Sequence, residues 1–319
     1  MRAASSIRKA ARRQKEDKMQ KFKKWIPLYI MMLPGLLYLF MNNYIPMLGI
    51  VIAFKKMNFT KGILGSEWCG FDNFKYLFST QDAFVITRNT LLYNVVFILL
   101  NTFLAIFFAI LICGLVNKTA KKFFQSTILF PFLMSIVIVS YMVYAFLAPE
   151  SGMINNTILK ALGKSGISWY SEPKYWPFIL CFVNAWKGVG YGCLIYISAI
   201  NGIDPSYFEA ASIDGASKWK QIKLIMLPEL VPTIITMTIL SVGKIFYSDF
   251  GLFYQVPQNS GALYSTTNVI DTYVYRGLLQ LGNVGMSSAA GLYQSAVGFI
   301  LVLATNYIVG KISKENALF

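Results

Sequence analysis

Six long apolar stretches alternate with shorter polar segments along this chain of 319 residues. Each is long enough for an α-helix to cross ~30 Å of hydrocarbon, which takes about 20 residues. They cover approximately 25–53, 90–116, 123–147, 176–200, 230–250 and 289–309. The pattern predicts an all-α membrane protein in which a domain of six transmembrane helices, 25–311, lies between an N-terminal tail, 1–24, and a C-terminal tail, 312–319.

The polar segment between the fourth and fifth stretches predicts two short helices. Asp204 suits the N-cap of the first helix, Pro205 suits its first turn, and Gly215 is free to take the positive φ at which a helix often ends. The second helix is expected to begin near Ser217 and to run to Pro228, where the next membrane segment starts. A compact helical element on a membrane surface is typical of a docking site.

Composition and charge support the membrane interpretation and add an orientation. Hydrophobic residues make up 56% of the chain, charged residues 13%, and the mean hydropathy is +0.53. Of the lysines and arginines outside the spans, eighteen lie on the side that holds both termini and the polar segment 201–228, and nine on the other side. The positive-inside rule therefore places both termini and this segment in the cytoplasm. The net charge of +15 needs no nucleic acid to explain it.

The residues that enzymatic and metal chemistry require are scarce. The chain contains no histidine, which removes the commonest general base and the commonest zinc ligand. Its four cysteines show neither the spacing of paired metal ligands nor a disulfide framework. We expect no catalytic residue and no metal site in this chain.

One tripeptide, Gly163-Lys164-Ser165, resembles the end of a phosphate-binding loop. That loop needs a glycine at the position where Ile158 stands, and the predicted topology places the tripeptide outside the cell. We therefore expect the chain to bind no cofactor, so that any ATP belongs to another subunit.

Polar side chains recur within the predicted spans, where each costs a few kcal/mol unless it faces protein or water. Around the fifth span they recur at steps of three and four residues, which predicts one helical stripe: Ser241, Lys244, Tyr247, Ser248, Gly251, Tyr254 and Gln255. Other spans contribute Asn94, Asn101, Asn184, Lys187, Tyr191 and Gln294. For any single amide a bond between helices is the simpler interpretation. The stripe as a set indicates a water-filled passage.

The residues near the external end of the fifth span suit a sugar, whose ring presents apolar C–H faces and a rim of hydroxyl groups. Phe250, Phe253 and Tyr254 are expected to stack on such a ring. Lys244 lies near mid-span with Asp249 five residues later, whereas a direct helical pair prefers three or four. A passage-facing Lys244 would favour an acidic sugar.

The polar segment contains, in order, Glu209-Ala210-Ala211, Gly215, Ile225 and Leu227-Pro228. This spacing resembles the EAA signature of permease subunits of binding-protein-dependent ABC importers, and every signature position is filled. The resemblance implies that the segment is a cytoplasmic coupling helix that inserts into a groove on a separate ATPase. By position, that role falls to Glu209, Ala210, Ala211, Asp214 and Gly215.

The resemblance extends over nearly the whole chain. Residues 248–256, 269–276 and 315–319 resemble the branch that imports complex oligosaccharides in Gram-positive bacteria. The local pattern at Trp186-Lys187 also recurs in the family, which favours a packing role for Lys187 over a substrate contact.

The family implies a larger machine around this chain. It would contain a second homologous permease, two cytoplasmic ATPase subunits that bind ATP and Mg, and an extracellular lipoprotein that delivers the oligosaccharide. The chain itself would be a non-catalytic permease, surrounded by lipid in the plasma membrane of a Gram-positive bacterium.

Two other classes remain open at this point. A secondary transporter driven by an ion gradient would use Lys244 and Asp249 as an ion or proton relay. A membrane-embedded enzyme is disfavoured by the missing histidine and the scarcity of carboxylates in the spans. Co-purification of an ATPase would favour the importer.

Overall fold

The computed structural model describes residues 24–312, most of which are helical. In chain order the α-helices are α1 (24–39), α2 (Gly62–Gly65), α3 (Asp72–Ser79), α4 (Gln81–Cys113), α5 (Lys118–Leu133), α6 (Ile136–Leu147), α7 (Trp176–Asn201), α8 (Pro205–Ile213), α9 (Lys218–Gln221), α10 (Leu227–Val242), α11 (Phe250–Gln255), α12 (Tyr264–Thr267), α13 (Ile270–Leu279) and α14 (Val284–Ile312). Wider π-helical segments cover Phe40–Tyr44, Ile154–Leu159 and Ile222–Met226. Tighter 3-10 segments cover Ile45–Phe54, Trp169–Ser171, Pro173–Tyr175 and Gly261–Leu263.

The chain divides after Ile52 into two compact units. In the first, the helix that begins at Lys24 exposes apolar side chains, such as Met31 at 77%, along its length. The second unit begins with a short hairpin in which β1 (Lys55–Lys56) pairs antiparallel with β2 (Glu67–Trp68). Of the two predicted tails, residues 1–23 and 313–319 lie outside the described range.

Five helices in the described range are long and apolar enough to cross a membrane: Lys24–Phe54, Gln81–Cys113, Pro173–Asn201, Lys218–Val242 and Val284–Lys311. A further pair, α5 and α6, passes the same test together but is bent by 94°. Counting this pair as one span gives the six predicted spans. The third predicted span, 123–147, is therefore a broken one.

Local chemistry explains the bend between α5 and α6. Pro131 lies in the last turn of α5, where it interrupts the helical hydrogen bonding. Ser135 begins α6 as its N-cap and accepts a hydrogen bond from the Val137 N–H at 3.4 Å. The Lys187 ammonium of α7 donates to the Phe132 carbonyl at 3.1 Å, so it binds one of the carbonyl groups that a helix end leaves free.

Small residues bring the central helices close together. α7 packs along α4 and against α5, with Ala105, Ala109 and Cys193 almost fully buried. A Cβ atom on Gly190 would lie 2.0 Å from the Ile128 carbonyl oxygen, so only glycine permits this approach of α7 to α5. Helices in lipid commonly associate through such small residues.

The fifth span differs from its predicted bounds of 230–250, because the helix begins at Lys218 and ends at Val242. The second short helix, which was predicted to run to Pro228, therefore continues into the span without a stop at that proline. The π-helical turn Ile222–Met226 comes just before this proline, so its missing N–H falls where the regular hydrogen-bond pattern is already interrupted. At the other end, residues 243–249 leave the helix altogether.

Candidate coupling loop and transport pathway

The predicted two-helix element between the fourth and fifth spans is present at 204–221. The Asp204 carboxylate accepts from the Ser206 N–H at 2.9 Å, and this bond lowers the pKa of Asp204. Gly215 ends α8 with a φ of +73°. The N–H groups of Gly215 and Ala216 donate to the carbonyls of Ser212 and Ala211, which is the Schellman arrangement of a helix C-terminus. The sequence signals for the cap and the turn are thereby confirmed.

Gln221 holds the two helices of this element together. It is only 5% exposed, and its amide donates to the Ser212 hydroxyl at 2.9 Å and to the Ala216 carbonyl at 3.4 Å. The Lys218 ammonium donates to its side-chain oxygen at 3.4 Å. This role of Gln221 was not predictable from the sequence, because an amide in a polar segment gives no sign of burial.

The outer surface of the element combines small, acidic and apolar residues. Glu209, Ala210 and Asp214 are exposed, and Ala211 is half-buried. Ile213 is 87% exposed and Trp219 is 73% exposed. Large apolar side chains at such exposure, in a polar segment that links two spans, favour a protein contact.

The fifth span is interrupted at 243–249. Three side chains that are distant in sequence bind backbone groups of this segment. Asn94 of α4 donates to the Ile245 carbonyl at 2.9 Å, and Gln294 of α14 donates to the Phe246 carbonyl at 2.7 Å. The Asp271 carboxylate of α13 accepts from the Ser248 N–H at 2.8 Å and from Gln294 at 3.0 Å. Backbone groups that have left a helix and are shielded from water require such partners.

The predicted stripe on a continuous fifth helix is wrong, because the helix breaks between Val242 and Phe250. Ser241 lies before the break, Lys244, Tyr247 and Ser248 lie within it, and Gly251 and Gln255 follow it on α11. Asp249 caps α11 by accepting from the Leu252 N–H at 3.1 Å. Lys244 and Asp249 therefore form no helical pair.

Lys244, Tyr247 and Asp249 are the exposed polar residues of the break. The Tyr247 hydroxyl lies 3.4 Å from that of Ser295. Within residues 24–312 the Lys244 ammonium has neither an ion pair nor a hydrogen bond, so its charge is available to a ligand or to water.

The polar residues of the fourth span face neighbouring helices. Asn184 accepts from Asn101 of α4 at 2.8 Å. Tyr191 stacks on Phe132 with ring centroids 5.1 Å apart, beside the bond that Lys187 makes to the same residue. These contacts hold α4, α5 and α7 together, as the simpler interpretation of single amides anticipated.

The predicted sugar-stacking aromatics divide into two groups. Phe253 is 2% exposed and packs against Tyr93 at 4.8 Å, so neither face of its ring is open. Phe250 and Tyr254 are only partly buried and stack with ring centroids 5.0 Å apart. Tyr275 of α13 contacts both rings, at 4.7 and 5.1 Å.

Arg276 organises the segment between α11 and α13. It is 8% exposed, donates to the side-chain oxygens of Asn259, Asn268 and Thr272, and lies 4.1 Å from the centre of the Tyr264 ring. Burial lowers the pKa of Arg276. Through this network Asn259 is held at a φ of +48°, an uncommon conformation for a residue other than glycine.

Comparison with known proteins connects this geometry to a family. The family described as the inner membrane component of binding-protein-dependent transport systems matches residues 83–314. The chain belongs to this family. It is thus a multi-pass membrane permease of a transport system.

Two relatives come from Bacillus subtilis strain 168. Protein LplB is 33% identical over 293 residues, which cover 92% of this chain and 91% of LplB. YteP, the permease protein of a polygalacturonan/rhamnogalacturonan transport system, is 36% identical over 295 residues, or 91% of this chain and 89% of YteP. The relatives of known type are transporters rather than enzymes.

Solved structures give the same result. In the crystal structure of a bacterial ABC transporter involved in the import of the acidic polysaccharide alginate, one chain matches with a TM-score of 0.84 at 31% identity. The match covers 92% of this chain and 98% of that one. A second structure shows that alginate transporter with a periplasmic protein that binds an alginate pentasaccharide, and its chain matches with a TM-score of 0.83.

Proposed function

We propose that this chain is one of two permeases in an ATP-driven importer that carries an acidic oligosaccharide into a Gram-positive bacterium. Family membership supports a binding-protein-dependent transport role over the ion-driven and enzymatic alternatives. An extracellular lipoprotein delivers the sugar, in keeping with the binding protein seen with the alginate transporter.

ATP hydrolysis takes place on two cytoplasmic ATPase subunits, which hold the ATP and the Mg. The element at 204–221 is the docking site for one of them. Its exposed Ile213 and Trp219 beside Glu209 offer an apolar contact with an acidic edge. The distribution of lysine and arginine supports a cytoplasmic location for this element and for both termini.

Lys244 is the single observation that carries the choice of an acidic sugar. Its exposed ammonium lies at the break in the fifth span and has no carboxylate partner in the described part of the chain. A substrate carboxylate would neutralise this charge in the passage. The descriptions of YteP and of the alginate transporter both name an acidic polysaccharide, which supports the same choice.

The sugar ring itself is assigned to Phe250, Tyr254 and Tyr275, whose rings form a partly open cluster. This replaces the predicted set that included the buried Phe253. Gln255, Ser248 and Tyr247 remain proposed pathway residues beside Lys244.

Lys244→Gln tests the substrate class. In liposomes that hold the assembled importer, we expect uptake of oligogalacturonides to fall about tenfold, because a charged hydrogen bond worth ~1.5–3 kcal/mol is lost. Uptake of a neutral oligosaccharide of the same length should not fall. Lys164→Gln, which removes an exposed lysine from an external loop, is the control. An equal loss of uptake for both sugars would contradict the acidic substrate. Uptake without ATP would contradict an ATP-driven importer.

A further inference from the structure

An apolar groove lies between α4, α5 and α7. Its volume is about 630 Å³, and its lining includes Leu111, Leu115, Phe124, Thr127, Pro131 and Trp186. Thr127 is the one residue with a side-chain hydroxyl in this lining, and that hydroxyl donates to the Phe123 carbonyl at 2.9 Å. The groove therefore suits an apolar chain rather than water or sugar.

The groove is open at the outer surface of the helices. Leu111 is 52% exposed, Phe124 is 48% exposed and Leu115 is 37% exposed. These residues come from the end of α4 and the start of α5, so the groove begins in the half of the spans nearest the element at 204–221. It extends from there to Phe182 and Trp186 of α7. In the proposed orientation this half lies in the cytoplasmic leaflet, and only this assignment to a leaflet rests on the proposed function.

Lysines stand at the groove's end without acidic partners. The first five residues of α5 include Lys118, Lys121 and Lys122 and no acidic residue. Lys121 donates to Asn201 at the end of α7, at 3.4 Å, which brings this segment next to the helix that forms the other wall. Within residues 24–312, Lys118 and Lys122 have neither an ion pair nor a hydrogen bond.

We propose that this groove binds an acyl chain of an anionic phospholipid, whose phosphate is held by the lysines at the start of α5. Basic clusters at the cytoplasmic ends of spans attract anionic headgroups. The apolar walls next to that cluster supply a place for the attached chain. Both parts of one lipid are then satisfied at a single site, with the phosphate at Lys118 and Lys122 and the chain beside Phe124.

A photoreactive side chain can identify the occupant directly. The importer is reconstituted in nanodiscs with equal amounts of phosphatidylglycerol and phosphatidylcholine, with p-benzoylphenylalanine in place of Thr127. The adducts are identified by mass spectrometry of this chain. Placement at the neighbouring Ser126, which does not line the groove, is the control.

We expect phosphatidylglycerol adducts to dominate at position 127 and the two lipids to react equally at position 126. The double variant Lys118→Gln/Lys122→Gln should reduce the preference at position 127 about 25-fold, since each lysine near a membrane surface is worth roughly fivefold. The exposed external pair Lys160→Gln/Lys164→Gln should change nothing.

Three results would overturn the proposal. Equal adducts of both lipids at position 127 would show an ordinary lipid-facing surface. A crosslink from position 127 to the partner permease would show that a protein helix covers the groove. A preference for phosphatidylglycerol that persists in the Lys118→Gln/Lys122→Gln variant would show that these lysines do not bind the phosphate. Because no readout involves transport, failure here is distinguishable from failure of the proposed function.

Discussion

Single side chains decide how closely helices approach in this protein. Gly190 permits the contact between α7 and α5, and Gln221 joins the two helices of the element at 204–221. Phe253 fills the core between α4 and α11, while its neighbour Tyr254 stays partly open. Each of these roles can be tested by replacing one residue.

Gly190→Ala should destabilise the protein by about 1–3 kcal/mol, the usual cost of overpacking. The added methyl group would lie 2.0 Å from the Ile128 carbonyl oxygen. At Gly188 the nearest atom to an added Cβ is 3.8 Å away, so Gly188→Ala is the matched control. Thermal melting of the purified protein measures both, and equal melting temperatures would contradict the close contact.

Gln221→Leu should lower uptake while leaving membrane insertion normal. The change removes the bond to Ser212 and leaves polar groups unpaired, at a cost of about 1–3 kcal/mol to the two-helix element. Lys220→Leu alters an exposed neighbour on the same helix and serves as the control. Unchanged uptake in the Gln221 variant, with normal ATPase association, would show that the element does not need this bond.

Phe253→Ala and Tyr254→Ala should fail in different ways. Phe253→Ala opens a core cavity and should cost ~3–5 kcal/mol of stability, which lowers the amount of assembled complex. Tyr254→Ala should leave assembly intact and raise the sugar concentration for half-maximal uptake. If Tyr254→Ala lowered assembly alone, the sugar site would have to lie elsewhere.

At the scale of elements, the broken fifth span distinguishes this structure from a simple bundle. Its exposed backbone is bound by Asn94, Asp271 and Gln294, which come from three other helices. These contacts make the break a fixed part of the structure. They also place Lys244 outside any helix.

Asp271 gives this arrangement a pH dependence. Burial raises the pKa of Asp271, so the folded protein takes up a proton more readily than the unfolded chain, in which aspartate titrates near about 3.9. The resulting stabilisation is complete below the unfolded value and is lost as the pH rises through the folded one. We expect the wild-type melting temperature to rise relative to that of Asp271→Asn as the pH falls from neutral towards the unfolded value. A constant difference would contradict this assignment.

Local signals in the sequence predicted the spans and the element at 204–221, because length, caps and glycine turns act between near neighbours. Asp204 and Gly215 are examples. The break at 243–249 was not predictable in this way, since its partners Asn94 and Gln294 lie far away in sequence. Pro131 was a local sign of the bend in the third span, but its angle depends on packing against α7. Phe253 could not be assigned to the core from the sequence, because a buried and a sugar-binding aromatic look alike there.

At the scale of the whole molecule, the two-helix element at 204–221 and the break at 243–249 lie at the two ends of one helix. The two-helix element presents the exposed Ile213 and Trp219. The break in the fifth span presents the exposed Lys244, which has no ion pair within residues 24–312. The helix Lys218–Val242, which includes α9 and α10, connects them, because it begins in the two-helix element and ends at the break. Under the proposed function, movement of the element at 204–221 would therefore reach Lys244 along one helix.

The central claim is that ATP hydrolysis on a docked partner drives sugar through this permease, and uptake of labelled oligogalacturonide into liposomes tests it most directly. The liposomes contain both permeases and the ATPases, with the binding protein outside and ATP inside. Gly215→Val should abolish most uptake, because a β-branched residue at a φ of +73° is strained and disturbs the docking element. Gly163→Val, at a φ of +66° in the segment between α6 and α7, should retain it. Uptake that proceeds under an ion gradient without ATP, or that survives Gly215→Val unchanged, would contradict the account.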